Sequence, residues 1–567
     1  MPEDHVTATR LGLVATDRGY ELPVYPFVAP PELRGDAKRR YPVAIVGGGL
    51  TGLTLACDLA LRGIPAVLLD DDNSVGVRGA ASRGICYAQK SLEIFARLGI
   101  YERIAAKGVQ WSVGRTFAGD DEVYSFDLRH SSAHDRSCQP AFINLQQFYV
   151  EWFLVDRIAE LGEGDVRWHS RVEGVEQGAD AVTLQVATPG GRYALEAQWV
   201  VDCSGCHSVL RAQLGVAVHG NRMLDRWCIS DVRFRTTPPA ERWTWIEAPF
   251  NDNRAVWQHR MADDVWRLDY QMAADAEPEA IARPEVVRER LARQFGADVD
   301  IELVWVGPYA YKSECLERFR AGRVLFAGDA AHVMSPFGAR GGNSGIQDAD
   351  NLGWKLVLVL DGAADPTLLE SYDVERRTAA RDNLRITGRT TRFLSPPTPA
   401  ERVMRDAVIA LAREHAFARG FVNTGRLSAP STYRESPLNL SPEAGRAVQN
   451  VALDAAPGGA ATLIDLLADA DHALLCLVDA AVADRPWQSV QALARRYPLR
   501  CLRIGRDASN SDAMILDRAG TLCEQLQLPA GGAALLRPDL YLAGVVPVAE
   551  DVAIASALRR ILSGGRE

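Results

Sequence analysis

Residues 43–63 read VAIVGGGLTGLTLACDLALRG, and this stretch decides the fold. An apolar strand pattern leads into Gly47-x-Gly49-x-x-Gly52, and apolar residues at helical spacing follow it. The first glycine permits a tight turn, the second lets a pyrophosphate approach the backbone, and the third lets the helix pack against the strand. The next apolar run ends at Asp70, whose carboxylate can accept hydrogen bonds from a ribose hydroxyl. The pattern predicts a βαβ unit that binds a dinucleotide; the alternative is a glycine-rich turn that only packs.

Length, charge and cysteine content narrow the class of protein. The 567 residues exceed the ~150 residues of a usual single domain, so we expect three domains. With 63 basic against 73 acidic residues, we expect neither a nucleic-acid partner nor an anionic membrane. The ten cysteines include one close pair, Cys203 and Cys206, and no Cys/His cluster has metal-ligand spacing. An acidic N-terminus and apolar runs below ~18 residues complete the expectation of a soluble, cytoplasmic protein without a metal site.

A second glycine-rich stretch, residues 328–345, reads GDAAHVMSPFGARGGNSG. It follows an apolar run and precedes a helical pattern, so a strand is predicted to turn sharply into a helix. The first motif, whose helix start at Leu50 and Thr51 faces the phosphates, does not distinguish FAD from NAD. Residues 328–345 favour FAD, because they resemble a known sequence element.

Residues 328–345 resemble the GDAAH element of the FAD-dependent aromatic hydroxylases of the para-hydroxybenzoate hydroxylase type. The resemblance implies that Asp329 holds the ribityl hydroxyls of FAD. It also implies that Pro336 and the backbone N–H groups of Gly341, Gly342 and Asn343 face the isoalloxazine. A helix N-terminus there would stabilise negative charge on the reduced flavin. We expect His332 to fix the backbone of the turn rather than to transfer protons.

Other segments extend the resemblance over most of the chain. SRGICYAQKSLEIFARLGI (82–100) resembles the family segment that places Arg83 near a flavin or pyridine-nucleotide phosphate. INLQQFYVEWFL (143–154) resembles the helix that offers Gln147 to the cofactor, with Glu151 one turn further on.

One motif departs from the family pattern. In VVDCSGCHSVLR (200–211), Ser204 stands where the Asp of an Asp-Gly pair is usual, while Gly205, Ser208 and Arg211 are retained. Asp202 lies two residues earlier, and we expect it to take no part in the motif. This departure bears on how the reducing pyridine nucleotide and part of the flavin are bound.

The resemblance is strongest to the 3-(3-hydroxyphenyl)propionate hydroxylase-like and phenol hydroxylase branch, and it implies an α/β fold. That fold has a Rossmann-like, GR2-type FAD-binding domain, an inserted β-sheet substrate domain and a C-terminal thioredoxin-like domain. The last lacks CxxC, so we expect it to support packing or a homodimer. The predicted ranges are an N-terminal surface arm (1–40), the FAD-binding domain (41–215 and 320–395), the substrate domain (216–319), a helical connector (396–445) and the thioredoxin-like domain (446–567).

Residues 265–272, VWRLDYQM, indicate where a substrate would bind. Apolar and polar residues alternate there, which predicts one apolar and one polar sheet face. Arg267, Asp269 and Gln271 are therefore pocket candidates, and the alternative is a solvated outer face. His259 and Tyr309 are weaker candidates, because a lone His or Tyr on a sheet is more often structural.

The resemblance implies an NAD(P)H-dependent FAD monooxygenase that hydroxylates a small phenolic or related aromatic substrate with O₂, through a flavin C4a-hydroperoxide. The choice between NADH and NADPH stays open, and no residue is assigned as catalytic. Two alternatives remain: Baeyer–Villiger oxygen insertion on the same fold, and a flavoprotein of low turnover that serves as a binding or assembly subunit.

Overall fold

The structure, a computed structural model, describes residues 12–15, 20–35, 39–76, 84–130, 136–234, 239–422, 427–468, 473–507, 514–548 and 551–566. Within these ranges, no helix combines the length and the apolar character needed to cross a bilayer.

The strands, in chain order, are β1 (Gly12–Ala15), β2 (Glu21–Val24), β3 (Arg40–Val46), β4 (Ala66–Leu69), β5 (Cys86–Ala88), β6 (Val109–Gln110), β7 (Val113–Ala118), β8 (Asp121–Asp127), β9 (Phe142–Asn144), β10 (Gly164–Arg167), β11 (Arg171–Gln177), β12 (Val182–Thr188), β13 (Gly191–Asp202), β14 (Val218–Phe234), β15 (Arg242–Ala248), β16 (Arg254–Arg260), β17 (Val265–Gln271), β18 (Ile301–Leu316), β19 (Arg320–Ala321), β20 (Val324–Phe326), β21 (His332–Val333), β22 (Leu474–Asp479), β23 (Leu499–Gly505), β24 (Met514–Leu516), β25 (Gly532–Leu536) and β26 (Leu542–Pro547). The α-helices are α1 (Leu50–Leu61), α2 (Gln89–Arg97), α3 (Tyr101–Lys107), α4 (Gln147–Leu161), α5 (Val209–Gln213), α6 (Pro278–Ile281), α7 (Pro284–Phe295), α8 (Gly341–Leu360), α9 (Glu370–Leu394), α10 (Pro399–Glu414), α11 (Ala416–Arg419), α12 (Leu463–Ala468), α13 (Asp484–Leu493), α14 (Thr521–Leu526) and α15 (Asp551–Leu562).

The first sheet is a Rossmann-like layer in the order β10-β4-β3-β13-β12-β11, with β20 also paired to β13. Strands β10, β4, β3, β20 and the end of β13 run parallel. Val43, Ala44 and Ile45 in β3 are fully buried, as expected for a parallel strand that is covered on both faces. Helices α1 and α8 pack on each other and bring the two glycine-rich stretches together.

The second sheet has the order β21-β18-β14-β17-β16-β15-β7-β8. Strands β7 and β8 come from residues before the predicted substrate domain, so the sheet draws on more of the chain than 216–319. Trp266, Leu268 and Tyr270 of β17 pack with Val287 and Leu291 of α7 on one face. The opposite face therefore turns towards the first domain.

The C-terminal domain has a five-stranded sheet in the order β24-β23-β22-β25-β26. Alternate residues of β22 pack against α12 and α14 on one side and against α13 and α15 on the other. This is the predicted thioredoxin-like architecture. Its Arg537 forms a bidentate ion pair with Glu375 of α9, at 2.6 and 2.9 Å, and both side chains are fully buried. Packing onto the first domain is thus one role of this domain.

The N-terminal segment differs from the predicted surface arm. Tyr20, Leu22 and Tyr25 are buried, and the ring of Tyr25 stacks on Trp168 with centroids 4.6 Å apart. The expectation was wrong for these residues because their apolar side chains cover the edge of the first core.

Candidate cofactor and substrate site

The glycines of the first motif are required by close backbone contacts. A Cβ on Gly52 would lie 2.0 Å from the carbonyl oxygen of Gly47. A Cβ on Gly47, whose φ is +104°, would lie 2.5 Å from the carbonyl oxygen of Cys203. Gly49, by contrast, has only the Glu151 carboxylate near its Cβ position, at 4.0 Å. The loop is therefore packed against the protein at Gly47 and Gly52 and open at Gly49, where a phosphate could approach. We call this loop the phosphate cradle.

Two helix starts converge in front of this loop. Helix α1 begins at Leu50 and α8 begins at Gly341. Neither N-cap residue caps its helix with its own side chain, although the Leu50 N–H donates to the Glu151 carboxylate. A Cβ on Gly342 would lie 3.3 Å from the Leu50 side chain, and one on Gly328 would lie 2.5 Å from the Thr51 hydroxyl. The two N-termini present their remaining N–H groups and partial positive charge to one space. That donor set fits a diphosphate and the electron-rich end of a flavin, so these residues fit FAD.

Asp70 lies at the end of β4 beside the phosphate cradle. One of its carboxylate oxygens accepts a hydrogen bond from the Gly48 N–H at 2.5 Å, and the other accepts one from the Asp72 N–H at 2.8 Å. Burial raises the pKa of Asp70 above its usual range. The structure thus places Asp70 at the loop where the sequence predicts a ribose ligand.

Gln147 and Glu151 form the other wall of the cradle. The Gln147 side-chain oxygen accepts a hydrogen bond from the Gly84 N–H at 2.9 Å, and its amide donates to Glu151 at 2.7 Å. Burial raises the pKa of Glu151 to about 7, against hydrogen bonds from Gln147 and from backbone N–H groups. Arg83, the predicted phosphate ligand next to Gly84, lies outside the described residues.

The turn that begins at Gly328 is held by buried side chains behind it. Asp348 of α8 accepts hydrogen bonds from the Gly328 N–H at 2.9 Å and from the His332 ring at 2.7 Å. His332 therefore fixes the turn, as predicted from the sequence. Asp329 is half-buried in this turn, and Pro336 is exposed.

Asn343 contributes to the site through its backbone. Its side-chain amide donates to the Cys86 carbonyl at 2.8 Å, and its oxygen accepts from the Ala88 N–H at 2.9 Å. The side chain thus ties the start of α8 to β5. What Asn343 can offer a flavin is its N–H, together with those of Gly341 and Gly342.

Asp202 takes part in the altered motif, contrary to the expectation from the sequence. Its carboxylate accepts hydrogen bonds from the Ser204 N–H at 3.0 Å, from the Ser204 hydroxyl at 2.6 Å and from the Ser208 hydroxyl. Because β13 ends at Asp202, strand alternation no longer dictates where its side chain points. Strand periodicity was therefore the wrong argument at this position.

The polar face of the second sheet lies against the first domain. Cross-strand pairing places Gln271 with Trp227, Asp269 with Ile229 and Trp257, and Arg267 with Asp231 and His259. Residues directly opposite each other share a face, so these three rows form one surface, which we call the substrate face. The face is not a solvated outer face, since Arg267 is 3% and Gln271 8% exposed and the half-buried Asp269 has its Oδ1 atom buried.

The substrate face meets the turn at Pro336 through aromatic rings. The ring of Phe337, the next residue, lies 4.6 Å from Trp257, 5.8 Å from Trp227 and 5.6 Å from Tyr311, centroid to centroid. Tyr309, whose ring is 5.1 Å from Tyr311, lies at the edge of this group.

Two of the substrate candidates already form hydrogen bonds or ion pairs within the protein. Arg267 forms a bidentate ion pair with Asp231, at 2.8 and 2.8 Å. Gln271 bonds to the Ala255 N–H at 3.1 Å and to the Ser395 hydroxyl at 2.5 Å. Both therefore have structural partners.

His259 faces the cofactor side, with its Nδ1 atom 3.9 Å from the Cys86 sulfur. Its pKa is held well below the usual range by burial and by Arg242 and Arg267.

Sequence reasoning missed Asp231 and Arg242. Alternation along β14 could have indicated Asp231, but the position of Arg242 depends on strand pairing.

Comparisons with known proteins agree with this geometry. The family model described as FAD binding domain matches residues 40–387. A 3-(3-hydroxy-phenyl)propionate/3-hydroxycinnamic acid hydroxylase from Mycolicibacterium smegmatis is 27% identical over 536 residues, covering 92% of this chain and 93% of that protein. A 12-dehydrotetracycline 5-monooxygenase/anhydrotetracycline 6-monooxygenase from Streptomyces rimosus is 34% identical over 383 residues, covering 66% of this chain and 73% of that protein.

A solved structure shares the fold across the chain. The flavin-dependent monooxygenase PieE, in complex with FAD and substrate, superposes with a TM-score of 0.79 at 23% identity, covering 93% of this chain and 100% of that chain. Because the family match spans more than half of the residues, the chain belongs to the FAD-dependent aromatic hydroxylases and is an FAD-dependent monooxygenase.

Proposed function

We propose that this protein is an NAD(P)H-dependent monooxygenase that hydroxylates a small phenolic or related aromatic compound. The observation that carries the proposal is a set of buried polar atoms on the substrate face. Trp227 Nε1, Trp257 Nε1 and Asp269 Oδ1 are buried without a hydrogen-bond partner among the described residues. A buried polar group without a partner is costly. An aromatic ligand with a hydroxyl group would satisfy both the donors and the acceptor.

Different residues of the chain would have different roles in such a reaction. Reduced FAD, when bound, supplies the activated oxygen. The N–H groups at the start of α8 would stabilise negative charge on a flavin bound against them. Trp227, Trp257 and Phe337 pack in one apolar cluster next to the turn at Pro336, and this cluster would shield a ring bound against it from water. The substrate face orients the aromatic ring.

The relatives support an aromatic substrate but differ in its size. One is named for hydroxyphenylpropionate and hydroxycinnamic acid, and another for anhydrotetracycline. We propose the smaller class because Phe337, next to the turn, packs directly against Trp227, Trp257 and Tyr311 with ring centroids 4.6–5.8 Å apart. The ten cysteines are all free thiols, which agrees with action in the reducing cytoplasm.

The test is a screen of phenols, aminophenols and hydroxylated aryl acids against the FAD-loaded protein. We expect one subset to stimulate NADH or NADPH oxidation and to gain one oxygen atom from labelled O₂ as a ring hydroxyl. Label recovered in an ester would instead support Baeyer–Villiger chemistry. A yellow protein that no compound induces to oxidise NAD(P)H would contradict the proposal and favour the binding-subunit alternative.

A further inference from the structure

Asp269 is the acidic residue of the substrate face that is not locked into an ion pair by the described residues. It lies in the middle row, opposite Trp257, whose ring contacts Phe337 beside the flavin-facing turn. Its Oδ1 atom is buried and accepts no hydrogen bond from the described residues. A carboxylate oxygen in that state is an acceptor available to a ligand.

The charged and titratable groups around Asp269 come from four elements. Arg267 stands on its own strand, Asp231 on β14, His259 on β16 and Arg242 on β15. Burial raises the pKa of Asp269 to about 7, with Asp231 raising it further and the two arginines opposing. Beyond these, Cys86 contacts His259, and Tyr20 lies near Asp231 and Arg267.

The other candidates for accepting a proton are excluded by their surroundings. Both carboxylate oxygens of Asp231 accept hydrogen bonds from the Arg267 guanidinium. Burial, together with Arg242 and Arg267, keeps the pKa of His259 low, so its ring is a weak base. Burial raises the pKa of Cys86 to about 12, so its thiol stays protonated and accepts no proton.

We propose that Asp269 is a catalytic base that accepts the phenolic proton of the substrate. This inference rests on the proposed function and assigns a role within it. The substrate O–H bond breaks and an O–H bond forms on Asp269, with no change in oxidation state. The negative charge moves from the carboxylate to the phenol oxygen, so the total charge beside Arg242 and Arg267 is unchanged. The phenolate directs electron density into the ring carbons that receive oxygen, and the proton returns to the product oxygen afterwards.

The experiment compares the FAD-loaded wild-type protein with Asp269→Asn, Asp269→Glu and Asp252→Asn. Asp252 lies on an exposed turn of the same sheet and is the matched control. Each protein is assayed with a series of phenols of increasing acidity, chosen from those that the wild-type protein hydroxylates.

We expect Asp269→Asn to lose about 100-fold in hydroxylation rate with weakly acidic phenols. The loss should shrink to less than about threefold with phenols that are already ionised at the assay pH, since they need no base. In the wild-type protein and in Asp269→Glu, which keep a carboxylate, we expect the hydroxylation rate to depend only weakly on the acidity of the phenol. Asp252→Asn should match the wild type throughout.

A second readout does not depend on turnover. Bound 4-nitrophenol shows its ionisation state in its absorption spectrum, and we expect the oxidised wild-type protein to hold more phenolate than Asp269→Asn at equal pH. An equal loss of rate across all phenols, together with equal phenolate fractions, would overturn the role of Asp269. Failure of the wild-type protein to hydroxylate any phenol would instead remove the proposed function itself.

Discussion

The hydroxyl of Ser204 donates a 2.6 Å hydrogen bond to the carboxylate of Asp202. The family pattern has its carboxylate at the position of Ser204, so this chain keeps an acidic group in the motif but moves it back by two residues. A Cβ on Gly47 would lie 2.9 Å from the Ser204 Cα atom, which places this group directly behind the phosphate cradle. The departure from the pattern therefore need not abolish cofactor binding.

Because the acidic group of this motif stands at position 202 instead of 204, we expect substitutions at these two positions to have strongly coupled effects. Ser204→Asp alone would put a second carboxylate against the buried Asp202, and like charges at that distance oppose ionisation. We expect Ser204→Asp to weaken FAD binding and Asp202→Ala to lower the free energy of unfolding by about 1–3 kcal/mol. The double variant should recover most of both losses. Additive losses in FAD titrations and urea denaturation would contradict this.

Gly52→Ala is expected to prevent formation of the cradle. The added Cβ would lie 2.0 Å from the Gly47 carbonyl oxygen, and both atoms belong to the backbone turn. We expect the free energy of unfolding to fall by about 1–3 kcal/mol and the protein to be isolated without yellow colour. Gly388→Ala in α9 is the control, because a Cβ there meets no atom within 4 Å and Ala favours a helix. Retained FAD in Gly52→Ala would refute the steric argument.

The raised pKa of Glu151 predicts that the affinity for FAD falls as pH rises. Its pKa in the folded protein is about 7, above the ordinary value of 4.5. Stability from this group is therefore fully present below about pH 4.5 and is lost as pH rises through about 7. Ionised Glu151 would also repel a diphosphate in the cradle. We expect the dissociation constant of FAD to rise by about tenfold from pH ~6 to pH ~8. Fluorescence titration of Glu151→Gln should show little of this change.

Arg537 is expected to be essential for docking of the C-terminal domain. Arg537→Met would leave the fully buried Glu375 with Lys355, 2.8 Å away, as its remaining cationic partner. We expect a loss of about 3–5 kcal/mol in the free energy of unfolding, because the substitution removes a cation that two buried carboxylates, Glu375 and Asp539, share. Arg518→Met, on an exposed turn of the same domain, should change stability little. Equal denaturation midpoints for the two variants would contradict the prediction.

Much of the cofactor site could be predicted from the sequence because it is built from local geometry. Gly52 is required by its contact with Gly47, five residues earlier, and the positive φ of Gly47 is a requirement of the same turn. The turn at Pro336 likewise leads straight into α8. The alternation in β17 likewise separated Arg267, Asp269 and Gln271 from Trp266, Leu268 and Tyr270. These features need only backbone periodicity and turn sterics, which a short segment expresses by itself.

Only the tertiary structure showed which of the polar residues face each other. Arg267 engages Asp231, Gln271 bonds to Ser395, and Asp269 keeps one carboxylate oxygen without a partner among the described residues, so the three candidates of one strand end in different states. The burial of Tyr20 and the pairing of Glu375 with Arg537 were equally inaccessible, because they join segments far apart in the chain. A local sequence determines which face a side chain takes; the charge, partner and burial of that side chain depend on what the remaining chain packs against it.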